Sequence, residues 1–315
     1  MFSHTRRMAS PTGADLAWHH AAAEGSQHGV LLVCHGLSEH ARRYARFAAA
    51  MASHGFHVYA HDHRGHGETR APDAIQGQFA PRGGARKALA DVAAMRAMVR
   101  DRHPGLPLIL FGHSMGGLIA LNAAEEEPEG YDGLAVWNSN FNAGLAGRAG
   151  QAILAVERAL KGSDVPSETL TALTFGAWKK KIANARTEFD WLSTDPVEVD
   201  AYVADPLCGF DATVSLWSDL FSLCYGGASA ERLARLAKDL PVHLVGGSED
   251  PATNGGRETR WLAERLKAAG LRDVSLNILD GFRHETLNEV GREAATESFA
   301  AWALSVAARV SAGGR

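Results

Sequence analysis

Four short apolar runs, at residues 29–34, 56–60, 107–111 and 133–137, constrain what this chain can fold into more than any other feature. They do not alternate with polar residues, as a strand with one wet face would, so they read as strands buried on both faces. Stretches of helical spacing lie between them. Tyr44, Phe47, Ala48 and Met51 recur within residues 39–53, and Leu89, Val92, Met95 and Val99 within 86–100. Residues 114–126 read as the helix after the third run. Strands alternating with helices predict an α/β chain with a doubly wound, mostly parallel sheet.

Near residue 140 this rhythm stops. Residues 141–235 hold no buried β run but carry many of the aromatics, among them Phe175, Trp178, Trp191, Trp217 and Phe221. It resumes with strands at 242–245 and 274–279 and helices at 259–269 and 294–310. The expected organisation is a core built from residues 1–140 and 236–315, with a helical insertion at 141–235. Such an insertion would sit as a lid over the carboxyl ends of the strands, where open α/β sheets bind ligands.

Composition removes whole classes of function. With 46% hydrophobic and 22% charged residues among 315, the chain is neither disordered nor fibrous. Its 32 basic and 36 acidic side chains give a net charge of −4, so no nucleic-acid partner is expected. No apolar run approaches the roughly 20 residues of a spanning helix, and Met1–Met8 is not followed by a signal-peptide core. Cys34, Cys208 and Cys224 are too few and too scattered for a disulfide framework or a zinc cluster. Reduced thiols suit a cytoplasmic protein.

The sharpest chemical signal is Gly112-His113-Ser114-Met115-Gly116, placed directly between a buried strand and a helix. That spacing permits a tight strand-to-helix turn with Ser114 at its apex. A serine hydroxyl needs a base to take its proton and an acid to orient that base. In this architecture they follow in the order Ser, acid, His, each after a late strand. Asp250 leaves the 242–245 strand and His284 leaves the 274–279 strand. Glu249 and Asp280 are rival acids; Asp250 is preferred because it lies deeper in its loop and precedes a proline. Charge developing on an acyl oxygen must be met by fixed donors. The backbone N–H of Met115 is one candidate, and the N–H of Leu37, in the Gly36 loop after the first run, is the second.

Together, His35-Gly-Leu-Ser-Glu-His40 with Tyr44, Asp62-His-Arg-Gly-His-Gly67, Gly112-His-Ser-Met-Gly116, Asp250-Pro251 and His284-Glu285 resemble the monoacylglycerol lipase and lysophospholipase branch of the α/β-hydrolase fold. The resemblance runs from about residue 12 to the last helix and includes Phe189–Pro196 and Tyr202–Pro206 in the insertion. It implies a serine esterase with Ser114, Asp250 and His284 as triad, oxyanion donors at Leu37 and Met115, and no cofactor or metal. The implied substrate is a monoacylglycerol, a lysophospholipid or another lipid-like ester, cleaved through an acyl-enzyme. An acyl transferase or perhydrolase would share every named residue, and a small-molecule receptor could keep the same fold. One departure stands out: family members often show a small Ser-x-Pro-like stretch where this chain has Trp137-Asn138-Ser139-Asn140-Phe141, placing bulk at the lid entrance.

Several other motifs read as structure. His61-Asp62-His63 with His66 suggests a metal cluster, but its glycines explain it as a turn after a strand. His284-Glu285-Thr286-Leu287-Asn288 lacks the second histidine of a zinc-protease helix. Lys179-Lys180-Lys181 reads as a solvated face. Leu145, Ala149, Ala152, Ile153, Val156 and Leu160 form a helical stripe that needs a partner: the core, an acyl chain, or a lipid surface touched transiently by the lid.

Overall fold

The computed structural model describes Phe2 and residues 4–312. One sheet carries eight strands: β1 (Arg6–Ala9), β2 (Asp15–Ala21), β3 (Gly29–Cys34), β4 (Phe56–His61), β5 (Leu108–His113), β6 (Gly133–Trp137), β7 (Val242–Gly247) and β8 (Val274–Leu279). Their order is β1-β2-β4-β3-β5-β6-β7-β8. From β4 to β8 the pairings are parallel, and β1 and β2 add an antiparallel edge. The six runs read from the sequence are β3 to β8. The β1–β2 hairpin escaped that reading because β1 is short and mostly exposed, while β2 carries His19 and His20 among its apolar residues.

The parallel strands lack polar alternation because each face meets its own helical layer. Leu31 and Val33 of β3 and Ile109 and Phe111 of β5 pack with α1 (Ala45–Ser53) and α11 (Arg292–Ala312). Val30, Leu32, Leu108 and Leu110 point the other way, toward α2 (Gly84–Arg102), α3 (Met115–Glu126) and α10 (Arg257–Ala268). Each such side chain contributes about 1.5–3 kcal/mol by leaving water, and a polar residue at either parity would lose it. The chain leaves β3 for β4 on one side through α1, then crosses to β5 on the other side through α2. The loops after β3 and β5 therefore diverge and open a crevice at their carboxyl ends.

Between β6 and β7 run α4 (Gly144–Lys161), α5 (Glu168–Leu173), α6 (Phe175–Lys179), α7 (Pro196–Ala204), α8 (Val214–Gly227) and α9 (Ala230–Leu233). The long α8 packs against α2, α3 and α4 and buries Trp217, Leu220 and Leu223. On α4 the expected stripe turns outward: Leu145 is 89% exposed, Leu160 78% and Val156 59%. Of the stripe only Ile153 packs against the core, half-buried; no residue of the stripe lines the cavity in front of Ser114. The buried face is instead Gly147, Gly150, Leu154 and Glu157, the glycines standing where α8 comes too close for a side chain. A Cβ on Gly147 would sit 2.3 Å from the Tyr225 hydroxyl.

This orientation predicts the ranking of substitutions along α4. Leu154→Ala should cost about 2–5 kcal/mol in chemical denaturation, whereas Val156→Ala and Leu160→Ala should stay within about 0.5 kcal/mol of the parent. The reverse ranking would mean that the helix presents its other face to the core.

Candidate active site

Ser114 occupies the turn between β5 and α3 with φ 54° and ψ −118°, a left-handed backbone rare for a residue with a Cβ. The turn is this tight because α3 starts hard against the end of β3: a Cβ on Gly116 would lie 2.0 Å from the Cys34 carbonyl oxygen. Neighbouring strands hold the strained residue. Its N–H donates to the Trp137 carbonyl at 2.9 Å, and its carbonyl accepts from the Ser139 hydroxyl at 2.8 Å.

Loops after β7 and β8 bring Asp250 and His284 to this turn. The Ser114 hydroxyl lies 2.9 Å from His284 Nε2, and His284 Nδ1 lies 3.0 Å from Asp250 Oδ1. Ser114 is half-buried, while His284 and Asp250 are buried. Glu249 and Asp280, the rival acids, are exposed, and Asp280 accepts from the Ser248 hydroxyl instead. Asp250 also accepts from the Ala252 N–H at 2.9 Å, the Thr253 hydroxyl at 2.8 Å and the Asn138 side-chain amide at 3.2 Å. Burial pushes its carboxyl up, but the His284 ring and these side-chain donors outweigh burial and leave it below the usual carboxylate range.

Leu37 and Met115 both line the cavity in front of Ser114. As the first residue of α3, Met115 has no intrahelical acceptor for its N–H. The loop carrying Leu37 is held from beneath by Glu39, whose Oε1 accepts from the Gly36 N–H at 2.5 Å and from the Tyr44 hydroxyl at 2.8 Å. His113 stands between this loop and the histidine loop. Its Nδ1 is 3.5 Å from Glu39 Oε1, and its Nε2 donates to the His284 carbonyl at 2.9 Å. Burial alone would lower the His113 pKa, but the Glu39 carboxylate raises it above the ordinary histidine value. Arg43 joins the same cluster, with one guanidinium nitrogen 2.7 Å from Glu39 and a two-pronged pair to Glu285 at 2.5 and 2.7 Å.

The cavity measures about 180 Å³. Leu118 of α3 and Phe175, Trp178, Trp191, Trp217, Leu220 and Phe221 of the helical segment make its walls apolar. Trp191 lies 5.1 Å from the His284 ring, centroid to centroid. The departure at 137–141 does not crowd the entrance as the sequence suggested. Trp137 is fully buried beneath the sheet with its indole N–H donating to His243, and Asn138 is buried behind Asp250; only Asn138 and Asn140 of the five touch the cavity. Sequence reasoning missed Asn138, Thr253 and the Glu39–His113 pair as supports of the site. The position of Asn138 just after a buried strand was the available signal. Asp62 accepts from the Ala41 and Glu68 N–H groups, so it holds a turn.

The depressed Asp250 pKa carries a sign. A carboxylate more acidic in the folded state contributes stability that is fully present above its unfolded value of about 3.9. That contribution disappears as pH falls through the lower folded value. Urea melts between pH 7 and pH 3 should therefore show a shallower acid limb for Asp250→Asn than for the parent. Parallel profiles would mean that this carboxylate is not held as the ion.

A family model described as Hydrolase_4, serine aminopeptidase S33, matches residues 25–291. Over 292 residues the chain is 28% identical to a monoacylglycerol lipase of Mycolicibacterium smegmatis, a match covering 88% of each. It is 27% identical over 265 residues to the human monoglyceride lipase, covering 82% of this chain and 76% of the relative. A thermostable carboxyl esterase from Bacillus coagulans shares the fold with a TM-score of 0.88 at 23% identity, covering 96% of this chain and 98% of that one. Since the family match spans residues 25–291, which include the loops that follow β3, β5, β7 and β8, the chain belongs to the Hydrolase_4 family of α/β-hydrolases.

Proposed function

We propose that this protein is a serine carboxylic-ester hydrolase acting on a lipid-like ester, of the monoacylglycerol or lysophospholipid class, through an acyl-enzyme. The observation that carries the reading is the unbroken line from Ser114 through His284 to Asp250, opening onto an apolar-walled cavity. Ser114 attacks the acyl carbon while His284 Nε2 takes its proton and later gives it to the leaving alcohol. Asp250 keeps the imidazole in the tautomer with hydrogen on Nδ1 and stabilises the cation that forms. The N–H groups of Leu37 and Met115 receive the charge on the tetrahedral oxygen. Water then attacks the acyl-enzyme with His284 as base. The monoacylglycerol and monoglyceride lipases among its relatives support this substrate class.

Residues 141–235 act as the lid of this site. Their aromatics wall the cavity, while the outward Leu145, Val156 and Leu160 of α4 form an apolar face suited to a lipid surface. No helix among the described residues is long and apolar enough to cross a membrane, and the unpaired Cys34, Cys208 and Cys224 suit a reducing cytoplasm.

Two measurements test the reading. Ser114→Ala should lower hydrolysis of p-nitrophenyl butyrate and of a monoacylglycerol by at least about 10³-fold while melting hardly changes. Retention of more than a few per cent of turnover would remove Ser114 as nucleophile. Aminoacyl p-nitroanilides, assayed beside the esters, address the aminopeptidase description of the family; faster cleavage of the anilides would reassign the substrate class. Leu145→Ser with Leu160→Ser should slow hydrolysis of monoacylglycerol in vesicles and leave soluble short-chain esters unaffected. Equal rates on vesicles would take the lipid-surface role from α4.

A further inference from the structure

Away from the reacting atoms, a second group of side chains spans the seam between the loop carrying Leu37 and the helical segment. His40 lies at the end of that loop, three residues after Leu37. Asp205 and Cys208 lie in the turn that follows α7. His40 Nε2 is 2.9 Å from Asp205 Oδ2. The turn closes with the Cys208 N–H donating to the Asp205 carbonyl at 3.0 Å, which sets the two side chains three residues apart on one side. Asp205 Oδ1 already accepts from the Leu207 N–H at 2.9 Å, so Oδ2 is the oxygen turned toward His40. One ligand atom from each of the three residues lies within 4.8 Å of the others.

We propose that His40, Asp205 and Cys208 form a binding site for a divalent cation of the zinc type, which ties the loop carrying Leu37 to the helical segment. The donor set is one imidazole nitrogen, one carboxylate oxygen and one thiolate sulfur. Calcium and magnesium demand oxygen throughout, whereas zinc takes this mixture. Ligand atoms around tetrahedral zinc stand roughly 3.3–3.7 Å apart, so a side-chain adjustment of about 1 Å draws the three in. Arg43, the charge acting most strongly on Cys208, is itself paired with Glu39 and Glu285, and the negative charge at the site is that of Asp205. His40 is buried while Asp205 and Cys208 are half-buried, which leaves an approach from solvent and one open coordination position for water. The Cys208 thiol gives up its proton to solvent as the bond from sulfur to the metal forms.

The consequence follows from what else crosses this seam. The Tyr202 hydroxyl and the Gly209 N–H both donate to the Ser38 carbonyl, at 2.9 Å each, in the residue next to Leu37. A bound cation adds coordinate bonds beside those two hydrogen bonds. The helical segment can then lift from the loop only by releasing a ligand.

A rival histidine cluster argues the point by contrast. His20, His57 and His103 also bring ring nitrogens together. There the His57 and His103 rings lie face to face at a tilt of 31°, centroids 4.1 Å apart, and the Tyr59 hydroxyl already engages His103. The charges facing His20 are those of Arg6 and Arg102, which repel a cation.

The test uses the full chain, stripped with EDTA and titrated with Co2+ while absorption from thiolate-to-metal charge transfer is followed, then displaced with Zn2+. The parent should bind one equivalent with that band, and Zn2+ should raise its melting temperature. Cys208→Ser should abolish the band and weaken Zn2+ binding by more than about 100-fold, with His40→Gln weakening it by about 10–100-fold. Cys34→Ser and Cys224→Ser should bind as the parent does. Asp205→Asn, with the thiol intact, should keep a weakened band and serves if the serine variant does not fold. The absence of a band in the parent, its survival in Cys208→Ser, or equal Zn2+ affinity in the two would overturn the site. The readout is binding, so it stands or falls separately from ester hydrolysis.

Discussion

The strained backbone of Ser114 is the constraint on which the rest of the site depends. A residue with a Cβ held at φ 54° costs of order 1–3 kcal/mol. It persists because both of its peptide groups are engaged by β6 and the residues after it, through the Trp137 carbonyl and the Ser139 hydroxyl. The same residues that hold the turn continue into Asn138, which reaches across to Asp250. The backbone of Ser114 and the carboxylate of Asp250 are thus braced from one strand end. A change at β6 would disturb the serine and the aspartate together, even though neither lies on that strand.

Behind the cavity runs a buried ionic cluster. Arg43 lies between Glu39 and Glu285, and Glu39 faces His113. Taking charges from water costs several kcal/mol each, so such a cluster is tolerated only when its hydrogen bonds are satisfied. Glu39 meets that condition through Gly36, Tyr44 and Arg43, and Glu285 through Arg43 and Asn288. Its geometry links the loop with Leu37, the turn with Ser114 and the loop with His284. Three loops that have no common secondary structure are held at one spacing by charge.

The helical segment is bonded to those same loops. The Glu285 N–H donates to the Leu192 carbonyl, and Arg283 donates to the carbonyls of Asp190 and Ser193. Tyr202 and Gly209 hold the Ser38 carbonyl from the other side. Admission of a substrate larger than the cavity requires some of these bonds to break, and they end on residues adjacent to His284 and Leu37. Motion of the segment is consequently coupled to the positions of His284 and Leu37.

Much of this was legible in the order of the residues. Both-face burial wrote β3 to β8 as apolar runs, and the Gly-x-Ser-x-Gly spacing between strand and helix marked Ser114. Asp250 and His284 could be named because a parallel sheet delivers successive strand ends to one edge. The β1–β2 hairpin was not legible, since a short exposed edge strand has little apolar pattern to show. Nor was the rotation of α4, because apolar periodicity counts large residues, while close approach to Phe221 and Tyr225 selected the glycine face. The supports from Asn138, Glu39 and His113, and the meeting of His40 with Asp205 and Cys208, join residues more than 70 or 160 positions apart. Local sequence determines which strand, turn or helix a residue enters. Which distant polar groups become partners is decided only when packing brings the loops together, because a hydrogen bond or ion pair depends on distances of a few ångströms that no spacing along the chain encodes.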